Sequence, residues 1–293
     1  MSDLEVAARM ARAGAERTRA DRGLSRVLPG AGEAAAAVVL LFLAAAALLP
    51  QVVAPMDPLA ISPLEGLRPP SPAHWFGTDE SGRDIFSRVV HGARPSLLLG
   101  LSATLIGLVG GILLGTAAGM LGRAVDFGVN RLLEVLFAFP GLLLALFFIV
   151  IFGPGIVTAT IAVGVSTAPG YARIIRGQLT TVRRSAYVEA ATVLGRSRLQ
   201  VLLRHILPNT LAPLFVLGTL GVGQAIVWAA SLSYLGLGAV PPAAEWGAML
   251  AAGRTYISTA WWLTFFPGLF IVLTATATTV LGRRLQQRVR EQG

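Results

Sequence analysis

The sequence predicts an all-α integral membrane protein with six transmembrane helices. Of its 293 residues, 54% are hydrophobic and only 13% are charged, whereas soluble domains average about 25% charged residues. Six apolar segments are separated by polar stretches, and about 20 apolar residues suffice for a helix to cross the hydrocarbon core. The chain has no cysteine, so disulfides, thiol catalysis and thiolate metal sites are excluded.

The chain starts with a polar stretch, residues 1–33, that predicts a cytoplasmic tail. The first span follows at Ala34–Val53, where the residues are almost all apolar. A cleaved signal peptide also joins positive charge to an apolar core, but this core is long and its charged lead-in is 33 residues. We therefore expect an uncleaved span, a transmembrane domain at 34–282 and a cytoplasmic C-terminal tail at 283–293.

The first loop, residues 54–95, is rich in proline. It predicts an ordered extramembrane segment that ends in a short helix near Asp84–His91. The second span, Leu97–Leu121, has glycine at every fourth position over part of its length. These glycines are Gly107, Gly111, Gly115 and Gly119. A stripe of this kind lets another helix approach closely, because no side chain stands between the two backbones. We therefore expect it to serve helix packing.

The rest of the predicted domain alternates spans with loops. A short charged turn leads into a third span, kinked near Pro140, and a fourth span, irregular near Pro169. A long cytoplasmic loop, a fifth span, a second outer loop and a sixth span complete the domain. In chain order these segments are Gly122–Arg131, Leu132–Phe152, Ile156–Ile175, residues 176–210, Leu211–Leu235, Gly236–Ala260 and Trp261–Gly282.

The distribution of arginine predicts the orientation in the cell membrane. All 24 basic residues are arginine. Eighteen of them fall in the two tails and the two loops on the same side, and Arg173 lies at the adjoining end of the fourth span. By the positive-inside rule, both termini are cytoplasmic. The net charge of +9 follows from the same bias and needs no nucleic-acid partner. The absence of lysine also excludes a phosphate-binding P-loop and any lysine base.

The long cytoplasmic loop contains the stretch Tyr187–Pro208, which is interrupted by Gly195 and Pro208. We expect a short helix, a turn at Gly195 and a second short helix that ends at Pro208. In the second half, apolar and polar residues repeat on separate faces at helical spacing. The apolar positions are Leu199, Leu202, Leu203 and Ile206, and the polar positions are Arg196, Gln200 and Arg204. By itself the pattern fits equally a connector on the lipid surface and a docking element for a soluble partner.

Several motifs resemble those of one family. Glu189-Ala190-Ala191, with Gly195 beyond it and Leu207-Pro208 at the end, resembles the EAA loop of permease subunits of bacterial ABC importers. The stretch His205–Asn209 looks like the variant in the dipeptide, oligopeptide and nickel branch. Other segments resemble that branch in the same order, namely Gly77–Asp84, Ala138–Gly141, Tyr171–Gln178, Leu232–Gly238 and Trp246–Leu250. The chain is most similar to the second permease subunit of such systems.

This resemblance implies the type I ABC importer permease fold, with a cytoplasmic coupling helix that fits a groove on an ATPase subunit. The implied coupling loop comprises Tyr187, Glu189, Ala190, Ala191, Gly195, Arg196, Arg198, His205, Leu207 and Pro208. The implied partners are a second homologous permease subunit forming a heterodimer, two cytosolic ATPase subunits, an extracytoplasmic solute-binding protein and the lipid bilayer. No nucleic acid is expected. The resemblance favours peptides as the cargo, ahead of nickel and other small solutes.

Some polar residues outside this loop admit two interpretations each. Asp79, Glu80, Arg83 and Asp84 in the first outer loop, and Trp246 in the second, could form outer-face contacts or could hold the loops together. Gln224 and Ser231 lie in the fifth span and are candidates for the translocation path. Because an unpaired amide is costly in lipid, Gln224 either lines that path or hydrogen-bonds a neighbouring helix.

The sequence shows no arrangement typical of catalysis. The histidines His74, His91 and His205 are too widely spaced for a metal-ligand pattern. We therefore predict no catalytic, cofactor-binding or metal-binding residue, and we expect ATP hydrolysis on separate partner subunits. The alternative is an ATP-independent secondary transporter or channel, which would need intramembrane ionisable groups. The spans hold almost no acidic residue except Glu134, and this favours the importer.

Overall fold

The structure, a computed structural model, describes residues 30–292, so most of the predicted N-terminal tail lies outside the described residues. Within that range the regular elements are helices. They are α1 (Ala31–Leu48), α2 (Pro50–Val53), α3 (Ile85–Met120), α4 (Arg123–Phe137), α5 (Gly141–Phe152), α6 (Ile156–Arg183), α7 (Ala186–Val193), α8 (Arg198–Val201), α9 (Leu207–Tyr234), α10 (Trp246–Gly253) and α11 (Trp262–Gln292). A π-helical turn, Leu202–Ile206, joins α8 to α9.

Four of the described helices, α1, α3, α9 and α11, are long and apolar enough to cross a membrane. The pair α4–α5 becomes a fifth candidate if it is counted as one span, and it bends by 90° at a break that contains Pro140. The predicted kink is therefore confirmed. The predicted fourth span lies in the 28-residue helix α6, whose hydroxyl, glycine and arginine residues make it less apolar. A sixth span through α6 stays a prediction.

Two boundaries differ from those expected. The short helix expected near Asp84–His91 is present, but it does not end before the second span, because it is the start of α3, which runs without interruption from Ile85 through Pro95. Asp84 caps this helix by accepting a hydrogen bond from the Ser87 N–H at 2.7 Å, and Pro95 is accommodated inside it. The expected turn at Gly122–Arg131 is instead mostly the first half of α4. The charged residues of this stretch suggested a loop, but they lie on helix α4 beside α6.

The glycine stripe lies in the contact between α3 and α6, which is the most extensive helix contact of the described chain. Gly107, Gly111 and Gly115 are buried. A Cβ atom on Gly115 would lie 2.7 Å from the carbonyl oxygen of Ala172 on α6, which is closer than real Cβ atoms approach. Only glycine permits this backbone separation. The predicted packing role is confirmed.

Buried apolar residues form three clusters along the bundle. The first joins α1, α3, α10 and α11 around Trp246 and Trp262. The second joins α3, α5, α6 and α9 in the middle. The third lies at the opposite end from the tryptophans and joins α6, α7 and α9 around Ile175 and Leu179. This third cluster fixes the position of the segment that resembles the EAA loop.

Candidate functional site

The EAA segment (residues 186–206) starts with helix α7, which has one buried face. Val188 and Ala191, three residues apart, pack into the third cluster against Ile175 and Leu179 of α6. The other face, which carries Tyr187, Glu189 and Ala190, points to solvent. Helix α7 is therefore attached to the bundle by one side and offers the other side to its surroundings.

Helix α7 ends at Val193, and Gly195, two residues later, adopts a left-handed backbone conformation with φ +75°. The Gly195 N–H donates to the Thr192 carbonyl at 3.0 Å, and the Arg196 N–H donates to the Ala191 carbonyl at 3.3 Å. These two bonds form a Schellman motif, which satisfies the last carbonyls of the helix. A Cβ atom at Gly195 would meet nothing within 4 Å. Glycine is therefore required by the backbone angle and not by space, and the predicted break is confirmed.

The predicted helix end at Pro208 is wrong. The chain continues from α8 through the π-helical turn into α9, with Pro208 in the first turn of that helix. The Leu207 N–H donates to the carbonyl of Leu202, five residues back. This wider turn displaces the carbonyl that a proline ring would otherwise meet four residues earlier, and proline is tolerated in a first helical turn because no N–H is needed there. The EAA segment is therefore directly continuous with α9.

The second half of the EAA segment, residues 198–206, also buries a different face from the one expected. Val201 and Ile206 are buried, whereas Leu199 and Leu203 are 63% and 53% exposed. The π-helical turn changes the residue period, so spacing computed for an α-helix misplaces the face. Val193 and Leu194, on the other side of the Gly195 turn, are 82% and 77% exposed. These four exposed apolar residues are called the apolar tip of the segment. Exposed apolar groups of this kind mark an interaction surface.

Polar groups complete the EAA segment. Arg196 Nη1 donates to His205 Nε2 at 2.9 Å and so bridges the two sides of the Gly195 turn. The Glu189 carboxylate is exposed and has no hydrogen bond or ion pair with any group that the structure describes, so it is available to a partner. Arg198 starts α8, but its side chain is outside the described part. The remaining candidates, Leu207 and Pro208, lie at the start of α9.

One ion pair and one further hydrogen bond join the neighbouring helices to each other. Arg176 of α6 holds Asp126 of α4 by two hydrogen bonds, Nε to Oδ1 at 2.6 Å and Nη2 to Oδ2 at 2.8 Å. Arg183 donates to the carbonyl of Gly119 at the end of α3. The helices α3, α4 and α6 are thus linked by polar contacts where they meet the EAA segment. The Asp126–Arg176 pair was not predicted, because nothing in the sequence connects two residues 50 positions apart.

The outer-loop candidates are mostly internal to the fold. Asp79 is buried and its Oδ1 accepts hydrogen bonds from the N–H groups of Ser81 and Arg83 at 2.8 and 2.9 Å. Asp84 is buried, caps α3 and contacts His74 Nδ1 at 3.0 Å. Trp246 is fully buried, and its Nε1 donates to the Val89 carbonyl at 2.8 Å. Arg83 contacts Asp79 Oδ2 at 3.4 Å. Glu80 alone of these five candidates is exposed.

The two path candidates lie on α9. Gln224 is exposed and makes no hydrogen bond within the described chain, whereas the Ser231 hydroxyl donates to the Val227 carbonyl at 2.8 Å. Since an unpaired amide is costly against lipid, the exposure of Gln224 favours contact with water or with another subunit. A cavity of about 430 Å³ adjoins Val227, Ser231 and Tyr234.

A second cavity of about 310 Å³, lined by Tyr171 and Trp228 among others, lies at the α4–α5 bend and was not predicted.

Comparison with known proteins identifies the family. The family model described as "Binding-protein-dependent transport system inner membrane component" matches residues 111–291, which include the EAA segment and both path candidates. The chain belongs to this family. It is accordingly a multi-pass component of a binding-protein-dependent transport system of the inner membrane.

Individual members of the family are similar over most of the chain. A probable D,D-dipeptide transport system permease protein of Escherichia coli (strain K12) is 42% identical over 246 residues, covering 84% of this chain and 83% of the relative. A di/tripeptide transport system permease protein of Pseudomonas aeruginosa (strain UCBPP-PA14) is 40% identical over 253 residues, covering 84% of each.

Solved structures support the fold. A chain of the MetNI methionine ABC transporter, in an inward-facing conformation, superimposes with a TM-score of 0.57 at 19% identity and covers 69% of this chain and 96% of that one. The fold is that of a type I ABC importer permease.

Proposed function

We propose that this chain is the permease subunit of an ATP-driven importer of dipeptides and oligopeptides. In this proposal it pairs with a second homologous permease subunit as a heterodimer, and each subunit forms half of the translocation pathway. Two cytosolic ATPase subunits supply the energy, and an extracytoplasmic solute-binding protein delivers the cargo. The chain itself carries no cofactor and no catalytic residue.

The observation that supports this proposal best is the two-sided construction of the EAA segment. Its inner side is buried with α6 and α9 through Val188, Ala191 and Ile206. Its outer side combines the apolar tip with the unpaired carboxylate of Glu189. A partner that grips the tip would therefore move α6 and α9 together with it, because buried packing in proteins resists deformation. This is the property that a joint between an ATPase and a transmembrane pathway requires.

The pathway is assigned to the face of α9 that carries Gln224 and Ser231. Gln224 is exposed without a partner in the described chain, and Ser231 borders an open cavity. With both termini in the cytoplasm, as the arginine distribution indicates, the EAA segment lies in the cytoplasm and Glu80 on the outer side. Glu80 is then the exposed residue of the first outer loop that is best placed to meet the solute-binding protein.

Peptides are the proposed cargo because the similar proteins named above are permeases for dipeptides and for di- and tripeptides. Nickel and other small solutes are the alternatives within the same importer class. Selectivity in such systems rests largely on the solute-binding protein. Titration of that partner with a dipeptide, a longer peptide and Ni²⁺ therefore separates these possibilities.

The proposal is tested with the full chain expressed together with its partner permease and ATPase subunits. We expect the ATPase subunits to co-purify with the permease subunits in detergent. We also expect proteoliposomes supplied with the solute-binding protein to take up peptide only when ATP is present on the side of the membrane that carries the ATPase subunits. A matched preparation with a non-hydrolysable ATP analogue is the control. Absence of co-purification, together with uptake that continues without ATP, would contradict the proposal and favour a secondary transporter.

A further inference from the structure

A large open cavity lies beside the EAA segment and has no part in the proposed transport path. Its volume is about 800 Å³. The walls are the end of α3, the start of α4, the last turns of α6 and the inner side of the EAA segment. Its charged lining residues are Arg123, Asp126, Arg176, Arg183, Arg184 and Arg196. Five guanidinium groups thus face a single carboxylate.

Three of these arginines have partners in the fold. Arg176 is paired with Asp126, so the only carboxylate among the described lining residues is already neutralised. Arg183 donates to the Gly119 carbonyl, and Arg196 donates to His205. These bonds are structural, but each leaves the guanidinium with further N–H donors, since the group has five. The cavity therefore keeps a strong excess of positive charge after its internal contacts are made.

The other two arginines have no such explanation. The exposed guanidinium groups of Arg123 and Arg184 make no hydrogen bond or ion pair with any group that the structure describes. Arg123 is the first residue of α4, and a cation there is unfavourable because the N-terminus is the positive end of the helix dipole. The positive-inside bias accounts for an arginine on this side of the membrane, but not for its place in a lining that already holds four other arginines. An anion in the cavity would account for it.

The chemistry of the lining favours phosphate. Guanidinium forks bind phosphate oxygens in pairs, and a phosphate offers enough acceptor oxygens for several arginines at once. Basic pockets between transmembrane helices on the cytoplasmic side are also typical sites for anionic lipid headgroups. The cavity volume falls within the range of small-molecule sites, roughly 300–1,000 Å³. We propose that this cavity binds a phosphate group, carried by an anionic phospholipid headgroup or by a small soluble phosphate, with Arg123 and Arg184 as direct contacts.

An occupant would touch the EAA segment and the bundle together. Val188 and Thr192 of α7 line the cavity opposite Arg123 of α4 and Thr180 of α6. A bound phosphate therefore stabilises the position of α7 relative to these helices. This inference concerns binding to the chain itself and holds whatever solute is transported.

The test measures binding to the purified full chain in lipid-depleted detergent, by thermal unfolding at increasing ligand concentration. The probes are dihexanoyl phosphatidylglycerol, inorganic phosphate and, as the zwitterionic control, dihexanoyl phosphatidylcholine. The variants are Arg123→Gln with Arg184→Gln, and the matched control is Arg131→Gln, because the Arg131 side chain is 73% exposed, pairs with Glu134 and does not line the cavity.

We expect the wild type to be stabilised by phosphatidylglycerol or phosphate more than by phosphatidylcholine. The double variant should bind at least about tenfold more weakly, because two charge-assisted contacts are lost, while Arg131→Gln should bind like the wild type. Stabilisation by phosphatidylglycerol alone identifies a lipid headgroup, and stabilisation by inorganic phosphate as well identifies a soluble ligand. No selective stabilisation by either probe, or equal binding by the double variant and the wild type, overturns the proposal.

A second measurement needs no variant. Native mass spectrometry of the wild-type chain in mixed phosphatidylglycerol and phosphatidylcholine micelles should show selective retention of phosphatidylglycerol if the ligand is a lipid. Binding of either probe should weaken as the salt concentration is raised, because mobile ions screen the exposed charges of an open cavity. Binding that is insensitive to salt would contradict an electrostatic site even if the double variant failed to fold.

Discussion

The guanidinium of Arg176 donates two hydrogen bonds to the carboxylate of Asp126, at 2.6 and 2.8 Å, and so joins the last turns of α6 to the first turn of α4. Both side chains are about one-third exposed, with 37% and 32% of their surface accessible. Two parallel bonds fix orientation as well as distance. The pair therefore holds the bent helix pair α4–α5 beside the helix that leads into the EAA segment.

A double-mutant cycle on Asp126 and Arg176 should give a coupling energy of about 1 kcal/mol, which is near the top of the range for exposed ion pairs. The variants are Asp126→Ala, Arg176→Ala and their combination, followed by unfolding of the detergent-solubilised chain. The control cycle uses Arg131 and Glu134, whose side chains are 73% and 60% exposed; it should give about 0.3 kcal/mol. Equal coupling in both cycles would show that the two-bond geometry adds nothing.

Replacing Gly195 should separate the backbone requirement from a requirement for space. Gly195→Val forces a β-branched residue to φ +75°, at a cost of roughly 1–2 kcal/mol or more, and we expect it to abolish ATP-driven uptake without preventing membrane insertion. Gly195→Asn should keep most of the uptake, because asparagine tolerates this conformation. Gly177→Ala, in an open position on α6, is the neutral control. Full uptake by Gly195→Val would refute the role of the turn.

Charge reversal at Glu189 should uncouple the transporter. The carboxylate is exposed and unpaired in the described chain, so Glu189→Arg should leave the stability of the isolated chain within about 0.5 kcal/mol while reducing ATP-driven uptake at least about tenfold. Uptake into proteoliposomes and the amount of inserted protein are both measured. Glu134→Gln, at an exposed carboxylate outside the EAA segment, should have little effect. A large loss of stability in Glu189→Arg would assign Glu189 a structural role.

The outer loop offers a contrast between a buried and an exposed carboxylate. Asp84→Ala removes the cap of α3 and the contact with His74, and it should lower the free energy of unfolding by about 1–2 kcal/mol. Glu80→Ala should change it by less than about 0.5 kcal/mol but weaken uptake if the solute-binding protein meets this residue. Unfolding of both variants in detergent checks the first point, and uptake by Glu80→Ala at limiting binding protein checks the second.

Long apolar runs and special residues made much of the fold predictable. The kink at Pro140, the turn at Gly195 and the close packing along the glycine stripe each depend on a property of one residue type, so the sequence reveals them directly. Helix boundaries were harder to predict, because prolines such as Pro95 and Pro208 usually mark helix ends. Here the surrounding helices and the π-helical turn accommodate both prolines, and this depends on tertiary context that no local pattern contains.

The candidate site was predictable in position but only partly in detail. The motif located the EAA segment in the sequence, and the structure places this segment at the end of the bundle opposite Trp246 and Trp262. The buried face was misassigned because the π-helical turn alters the period after Val201. Asp79, Asp84 and Trp246 are polar or aromatic residues in loops, a pattern that suits contact with a partner equally well. Only the structure shows that their polar atoms are already bonded inside the fold.

The glycine stripe of α3 has a mechanical consequence. Because α6 packs directly against the backbone of α3 at Gly107, Gly111 and Gly115, the two helices are closely packed and should move together as one rigid unit. Helix α3 has 36 residues, which corresponds to about 54 Å at 1.5 Å per residue. A small tilt of the α3–α6 pair at the EAA segment would therefore displace the far end of α3, at Ile85 beneath the first outer loop.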